Sequence, residues 1–297
     1  MTDPVEIFDR ARHRANRARA AAGFAAHDFL FREVADRMAE RLGDVNRSFE
    51  RVLILGGRAP LPEGLIGPGG QIGQAVTMDL AEAFAAGGAA GDEERLPFRD
   101  GAFDLVFSPL SLHWTNDLPG ALIQLRRALK PDGLLLAAMF GAGTLAELRQ
   151  VLMEAELEIE GGAGPRVSPF AEIRDAGGLL QRAGLALPVA DADTITVTYE
   201  NPLRLLADLR GMGEQNAVRE RRKRFTRRAT LLRAMELYIE RFAGPDGRVP
   251  ATFEVIYLTG WSPHESQQQP LRPGQARSRL ADALGVPERG TGEKPDG

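Results

Sequence analysis

The chain has no cysteine among its 297 residues. That excludes disulfides, thiolate metal sites, iron-sulfur ligation and a cysteine nucleophile, and it fits a reducing compartment. A strong charge of one sign is also missing: 37 Lys and Arg against 41 Asp and Glu give a net charge of -4. No global field therefore draws the protein to nucleic acid or to an anionic membrane. No apolar run approaches the roughly 20 residues that a membrane-spanning helix needs. H-E-x-x-H, Walker and nucleophile-elbow motifs do not occur. The four histidines begin no H-x-D or H-x-E triplet, the common spacing of a two-histidine, one-carboxylate iron site, so no metal site is expected. A hydrophobic content of 43% is present instead, enough for a sizeable globular core.

Five arginines, Arg10, Arg12, Arg14, Arg17 and Arg19, stand among alanines near the N-terminus. Asp3, Glu6 and Asp9 argue against an acid-poor transit peptide. The segment reads as the solvated face of a helix, with His13 and His27 as surface residues. The high Ala, Arg and Gly content has a bacterial look, so a cytoplasmic location is expected, or the mitochondrial matrix if the source is eukaryotic.

The most informative stretch is Asp92 to Phe140. An apolar run at Phe103 to Phe107 leads into the loop Ser108-Pro109-Leu110-Ser111-Leu112-His113-Trp114. Ala121, Leu122, Leu125, Ala128 and Leu129 then recur at the spacing of one helix face, and Lys130-Pro131-Asp132-Gly133 ends that helix. A second apolar run, Leu134 to Phe140, lacks alternation and predicts a strand buried on both faces. Strand, loop, helix and strand in this order favour a parallel pair with a right-handed crossover. Upstream, Ala25 to Leu42 predicts a helix, Arg51 to Gly57 a first strand and Gln74 to Met78 a second, followed by a helix at Leu80 to Ala86. Ala85 to Gly91 is a poor strand by propensity, so the third strand is expected to be short or absent. Thr194 to Tyr199 and Phe253 to Leu258 predict two late strands, with helices of Asn201 to Phe242 inserted between them.

An acidic residue before Leu96-Pro97-Phe98, the strand Phe103-Asp104-Leu105-Val106 and the turn Leu129 to Gly133 resemble a class I S-adenosylmethionine-dependent methyltransferase. The resemblance implies an α/β fold: a doubly wound, mostly parallel seven-stranded sheet with a helical insertion before the last strand. The expected layout is a helical lead-in at 1–45, the methyltransferase-like domain at 46–262 with its insertion at 201–245, and a tail at 263–297. Within that tail, Ala276 to Leu284 carries a weak helical pattern and the last dozen residues read as disordered.

Longer segments narrow the likeness. LSLHWTNDLPGAL at Leu110 to Leu122, FGAGTLAELR at Phe140 to Arg149, EGGAGPRVSPF at Glu160 to Phe170, LRGMGEQNA at Leu209 to Ala217 and VPATFEVIYLTGWSPHESQQQP at Val249 to Pro270 resemble the NADH:ubiquinone oxidoreductase complex assembly factor 5 family. That resemblance implies a place in respiratory complex I assembly and hydroxylation of an arginine on the small iron-sulfur subunit. Methyl transfer from S-adenosylmethionine and a non-catalytic chaperone role are the alternatives. No nucleic-acid partner is expected, and membrane association is at most peripheral.

The superfamily likeness places S-adenosylmethionine over Gly56, Asp79, Asp92 and Ser108. The pattern departs from D-L-G-x-G-x-G, because Ile54 stands at the acid and Arg58 and Pro60 at the second and third glycines. Asp79, at the end of the second strand, either accepts hydrogen bonds from ribose hydroxyls or caps the segment that follows. Asp92 either approaches the adenine amino group or is a solvated loop charge. His113, just past the fourth strand, is the catalytic candidate, with a structural role as its alternative. Trp114, Arg149, Trp261 and His264 are the candidates to face substrate or partner. The basic run Arg219 to Arg228 is either a solvated face or a docking surface for an acidic protein, since only Phe225 interrupts it and nucleic-acid tracking needs several stacking aromatics.

Overall fold

The computed structural model describes residues 6–67 and 69–267. Two units divide the chain, Met1–Pro263 and His264–Gly297. Of the second, only 264–267 are described, a short turn in which the Gln267 amide donates to the His264 carbonyl at 3.2 Å. The tail readings beyond Gln267 lie outside the described residues.

The first unit is built on one seven-stranded sheet in the order β3-β2-β1-β4-β5-β7-β6. Its strands are β1 (Phe49–Leu55), β2 (Ile72–Asp79), β3 (Ala89–Ala90), β4 (Phe103–Pro109), β5 (Leu129–Phe140), β6 (Ala186–Tyr199) and β7 (Val249–Trp261). The first five run parallel, and β7 lies antiparallel between β5 and β6. This is the class I methyltransferase topology. It follows from side-chain parity: on β1, Val52 and Ile54 enter one core while Leu53 and Leu55 enter the other. Helices α2 (Phe29–Gly43), α4 (Ala146–Glu160), α6 (Pro202–Gly211) and α7 (Arg228–Phe242) cover the first face, and α3 (Leu118–Ala128) and α5 (Ile173–Arg182) the second.

β3 has two residues, as short as expected, because Ala and Gly offer little side chain to pack. Several other elements differ from the sequence expectation. The helix expected at 80–86 is one 3-10 turn, Glu82–Phe84. β6 begins at Ala186, eight residues early, because Asp191 and Asp193 on this edge strand pair with Arg41 and Arg37 of α2. The N-terminal arginines form α1 (Arg10–Ala20), in which Arg14 and Arg19 are solvated as expected but the opposite face is not. His13 and Arg17 are wholly buried and Asn16 nearly so. The polar face of α1 is pressed onto the carboxyl ends of the parallel strands.

Candidate functional site

The strand order reverses between β1 and β4, and the carboxyl ends of β1, β2 and β4 open a crevice where this architecture places ligands. Here α1 fills it. Asp79 ends β2, and its Oδ1 accepts from the Ala81 amide at 2.8 Å. Its Oδ2 accepts from the Gly57 amide at 3.0 Å and from Arg17 Nη1 at 3.2 Å. Arg17 also lies 3.5 Å from Glu93 Oε1. Glu93 accepts further from Ser111 Oγ and from Arg10, which in turn holds Asp92 Oδ1 at 2.6 Å and the Trp114 carbonyl at 3.0 Å. Burial alone would raise the Glu93 pKa, but Arg17 and Arg10 outweigh it and hold the carboxyl at about 2. Burial likewise works against the Arg17 charge, and Asp79 and Glu93 more than restore it.

A second buried ion pair adjoins the first. Arg58 turns inward, stacks over the Phe31 ring at 4.5 Å and donates to the carbonyls of Leu110 at 2.8 Å and Met212 at 3.1 Å. It also pairs with Glu214. Trp114 Nε1 and His113 Nε2 reach Glu214 Oε2 at 2.7 and 3.3 Å. Burial would raise the Glu214 pKa, yet Arg58 and His113 hold it far below the ordinary carboxylate range. Burial lowers the His113 pKa despite Glu214, so the imidazole is neutral at pH 7 and its Nε2–H donates to the carboxylate. That leaves Nδ1 without a partner. The His113 ring packs among Phe140 at 4.6 Å, Phe170 at 5.4 Å and Trp114 at 5.9 Å, and His13, also neutral, stacks on Trp114 at 4.5 Å.

Beyond this pair lies an open cavity of about 760 Å³. Trp114, Phe140, Phe170, Leu148 and Leu206 form its apolar walls, and Glu214 supplies a carboxylate. Among the described residues no cluster of three His, Asp or Glu side chains is arranged to hold a metal, and no helix is long and apolar enough to cross a membrane.

Residues 72–137 match the family model described as a methyltransferase domain. Arginine-hydroxylase NDUFAF5, mitochondrial, of Danio rerio is 40% identical over 94% of this chain and 89% of that protein. The human protein of the same name is 42% identical over 92% of this chain and 81% of its own. The chain belongs to the NDUFAF5 family. At lower identity, 32%, it is also similar to malonyl-[acyl-carrier protein] O-methyltransferase of Methylovorus sp. (strain MP688), over 95% of this chain and 100% of that one.

Four segments far apart in sequence converge on the cavity. Leu110–Leu122 brings Trp114, with His113 behind it; Phe140–Arg149 brings Phe140; Glu160–Phe170 brings Phe170; and Leu209–Ala217 brings Glu214. Other candidates lie elsewhere. Arg149 holds the turn after β5 by donating to the carbonyls of Ala142 and Thr144 at 3.1 and 3.2 Å. Trp261 pairs with Leu134, six residues before Phe140 on β5, and so is remote from the crevice at the carboxyl ends. Ser108 is buried within β4, its Oγ without a partner. His264, in the second unit, contacts Ser266 Oγ through Nδ1 at 2.7 Å.

S-adenosylmethionine is the cofactor that the methyltransferase domain supports. The places expected to receive it are Gly56, Asp79 and Asp92. Gly56 turns the chain with φ 94° beneath Ser111, and both acids are engaged by α1. Arg17 and Arg10 occupy the hydrogen-bonding positions of both acids that the cofactor's nucleoside would otherwise use. The residues that sequence reading missed are His13, Arg17, Glu93 and Glu214. One signal existed for α1: Arg10, His13 and Arg17 recur at spacings of three and four, placing them on one helix face.

Proposed function

We propose that this chain is a protein-modifying enzyme of respiratory complex I assembly that hydroxylates an arginine side chain, and that the cavity beside Trp114 receives that arginine. The convergence of Trp114, Phe140, Phe170 and Glu214, from four distant segments, on one cavity carries this reading. Apolar walls suit the methylene stem of an arginine, and Glu214 suits its head. A carboxylate has about four lone-pair positions. Arg58, Trp114 and His113 take three, which leaves one for a guanidinium N–H. Phe170, half-buried in the wall, offers a ring on which a planar cation stacks, while Trp114, already stacked by His13, supplies an apolar backing. His113, neutral and fully buried behind Trp114, does not line the cavity; it orients Glu214 through its Nε2–H. Inserting one atom of dioxygen into a C–H bond consumes two electrons from an external donor and two protons and releases the second oxygen as water, while the residues named here bind and orient the side chain.

The partner we assign is the small iron-sulfur subunit of complex I, met in the bacterial cytoplasm or the mitochondrial matrix, with at most peripheral contact with the membrane. Residues 46–262 are the modifying domain with its insertion at 201–245, 1–45 the lead-in that covers the crevice, and 263–297 a tail. Methyl transfer is the second reading, favoured by the methyltransferase domain match and by the similarity to O-methyltransferases. Intact-mass measurement of the subunit from cells with and without this chain tests both. One added oxygen supports hydroxylation, one added methylene makes the chain a methyltransferase, and equal masses contradict both and leave a non-catalytic assembly role.

A further inference from the structure

The connection from α6 to α7 carries RERRKRFTRR at Arg219 to Arg228. Its first arginines are paired: Arg219 with Glu6, Arg221 with Asp9 at 3.0 Å, and Arg222 with Glu160. Arg224, Arg227 and Arg228 are not. All three are exposed, and among the described residues none has an ion-pair partner within 4.0 Å. Lys223, also exposed, acts on Asp9 only at longer range. Between these cations stands Phe225, 101% exposed, the most exposed large apolar side chain in the described structure. The loop is fixed at the cavity, since Thr226 is a lining residue and accepts at 2.9 Å from Arg166 Nη1, another lining residue.

We infer that this loop is a docking surface for an acidic polypeptide segment of the protein whose side chain enters the cavity. The inference rests on the reading that the cavity takes a protein side chain, and it adds where the rest of that protein binds. Arginines around a protruding aromatic are the composition of a binding hot spot. Three cations at the rim attract carboxylates flanking the reactive residue, while Phe225 anchors on an apolar neighbour. A polypeptide suits the loop better than nucleic acid, because one aromatic provides no stacking track. It suits it better than an anionic membrane too, because the chain as a whole carries a net charge of -4 and repels an extended anionic surface.

The test is fluorescence anisotropy on the full chain with a labelled dodecapeptide in which one arginine is flanked by Asp and Glu. The comparison peptide carries Asn and Gln instead. The triple variant Arg224→Glu, Arg227→Glu, Arg228→Glu is expected to weaken the acidic peptide roughly ten-fold or more, and raising salt from about 50 to about 300 mM to weaken wild-type binding several-fold. Phe225→Ser is expected to weaken it with the salt dependence retained. Circular dichroism and a thermal midpoint confirm that the variants fold. An acidic peptide whose arginine is replaced by glutamine should still dock, which separates this proposal from the arginine chemistry read by mass. Equal binding by the triple variant overturns the proposal. So does tighter binding of a single-stranded oligonucleotide or of phosphatidylglycerol vesicles than of the acidic peptide.

Discussion

At the scale of single residues, Arg17 decides how the crevice is used. Its guanidinium lies between Asp79 and Glu93 with no solvent contact, where a ligand-binding fold of this type leaves room. Breaking a buried pair by removing one partner costs about 3–5 kcal/mol, because a charge is left uncompensated. Arg17→Ala should therefore lower the stability measured by urea unfolding by about that amount. The same substitution empties the space above Asp79. Calorimetric titration with S-adenosylmethionine should show binding roughly ten-fold or more tighter to Arg17→Ala than to the wild type, which is about the 1.4 kcal/mol that one tenfold step represents. Equal affinity would mean that α1 does not compete for the crevice.

The elements show why a rewritten glycine loop still folds. Gly57 follows β1 so close to the Phe84 carbonyl that a β-carbon would stand 1.9 Å from that oxygen and 2.7 Å from Thr77 Cγ2. The contact is to backbone and cannot move aside. Gly57→Ala should cost about 1–3 kcal/mol or more as an overpacking change, read from the thermal midpoint. Here the glycine serves packing of protein on protein. The same scale separates what the sequence made legible from what it hid. β4, α3 and β5 were readable because their apolar residues repeat at one period each. α1 looked solvated because its buried face is arginine and histidine, and the carboxylates that neutralise it come from Asp79 and Glu93, more than 60 residues on. Asp79 and Asp92 stood at readable strand and loop ends, but their partners did not. Trp261 was misplaced because the antiparallel register of β7 against β5 is a property of pairing that local pattern does not record.

For the whole molecule, these buried charges set how stability depends on pH. His13 and His113 have folded pKa values below the ordinary 6.5 because burial disfavours their charged forms. Below pH 6.5 the unfolded chain binds protons that the folded chain refuses, so stability falls as pH drops. Glu93, at about 2 against an ordinary 4.5, and Glu214, also lowered, add a second loss that begins near pH 4.5 and continues as pH falls toward the folded values. Urea midpoints should decline from pH 7 to 5 and more steeply from pH 5 to 3. A flat profile across that range would show that these groups are not buried as described.

The chemistry proposed for this chain takes place in one cavity, with Glu214 as its anion. The most direct measurement is the mass of the target arginine peptide in cells whose only copy of this chain carries Glu214→Gln, with a second strain carrying Leu206→Trp to fill the cavity without touching the ion pair. Unmodified peptide in both strains, beside a folded and normally abundant chain, is the predicted result. Full modification in the Leu206→Trp strain would contradict it.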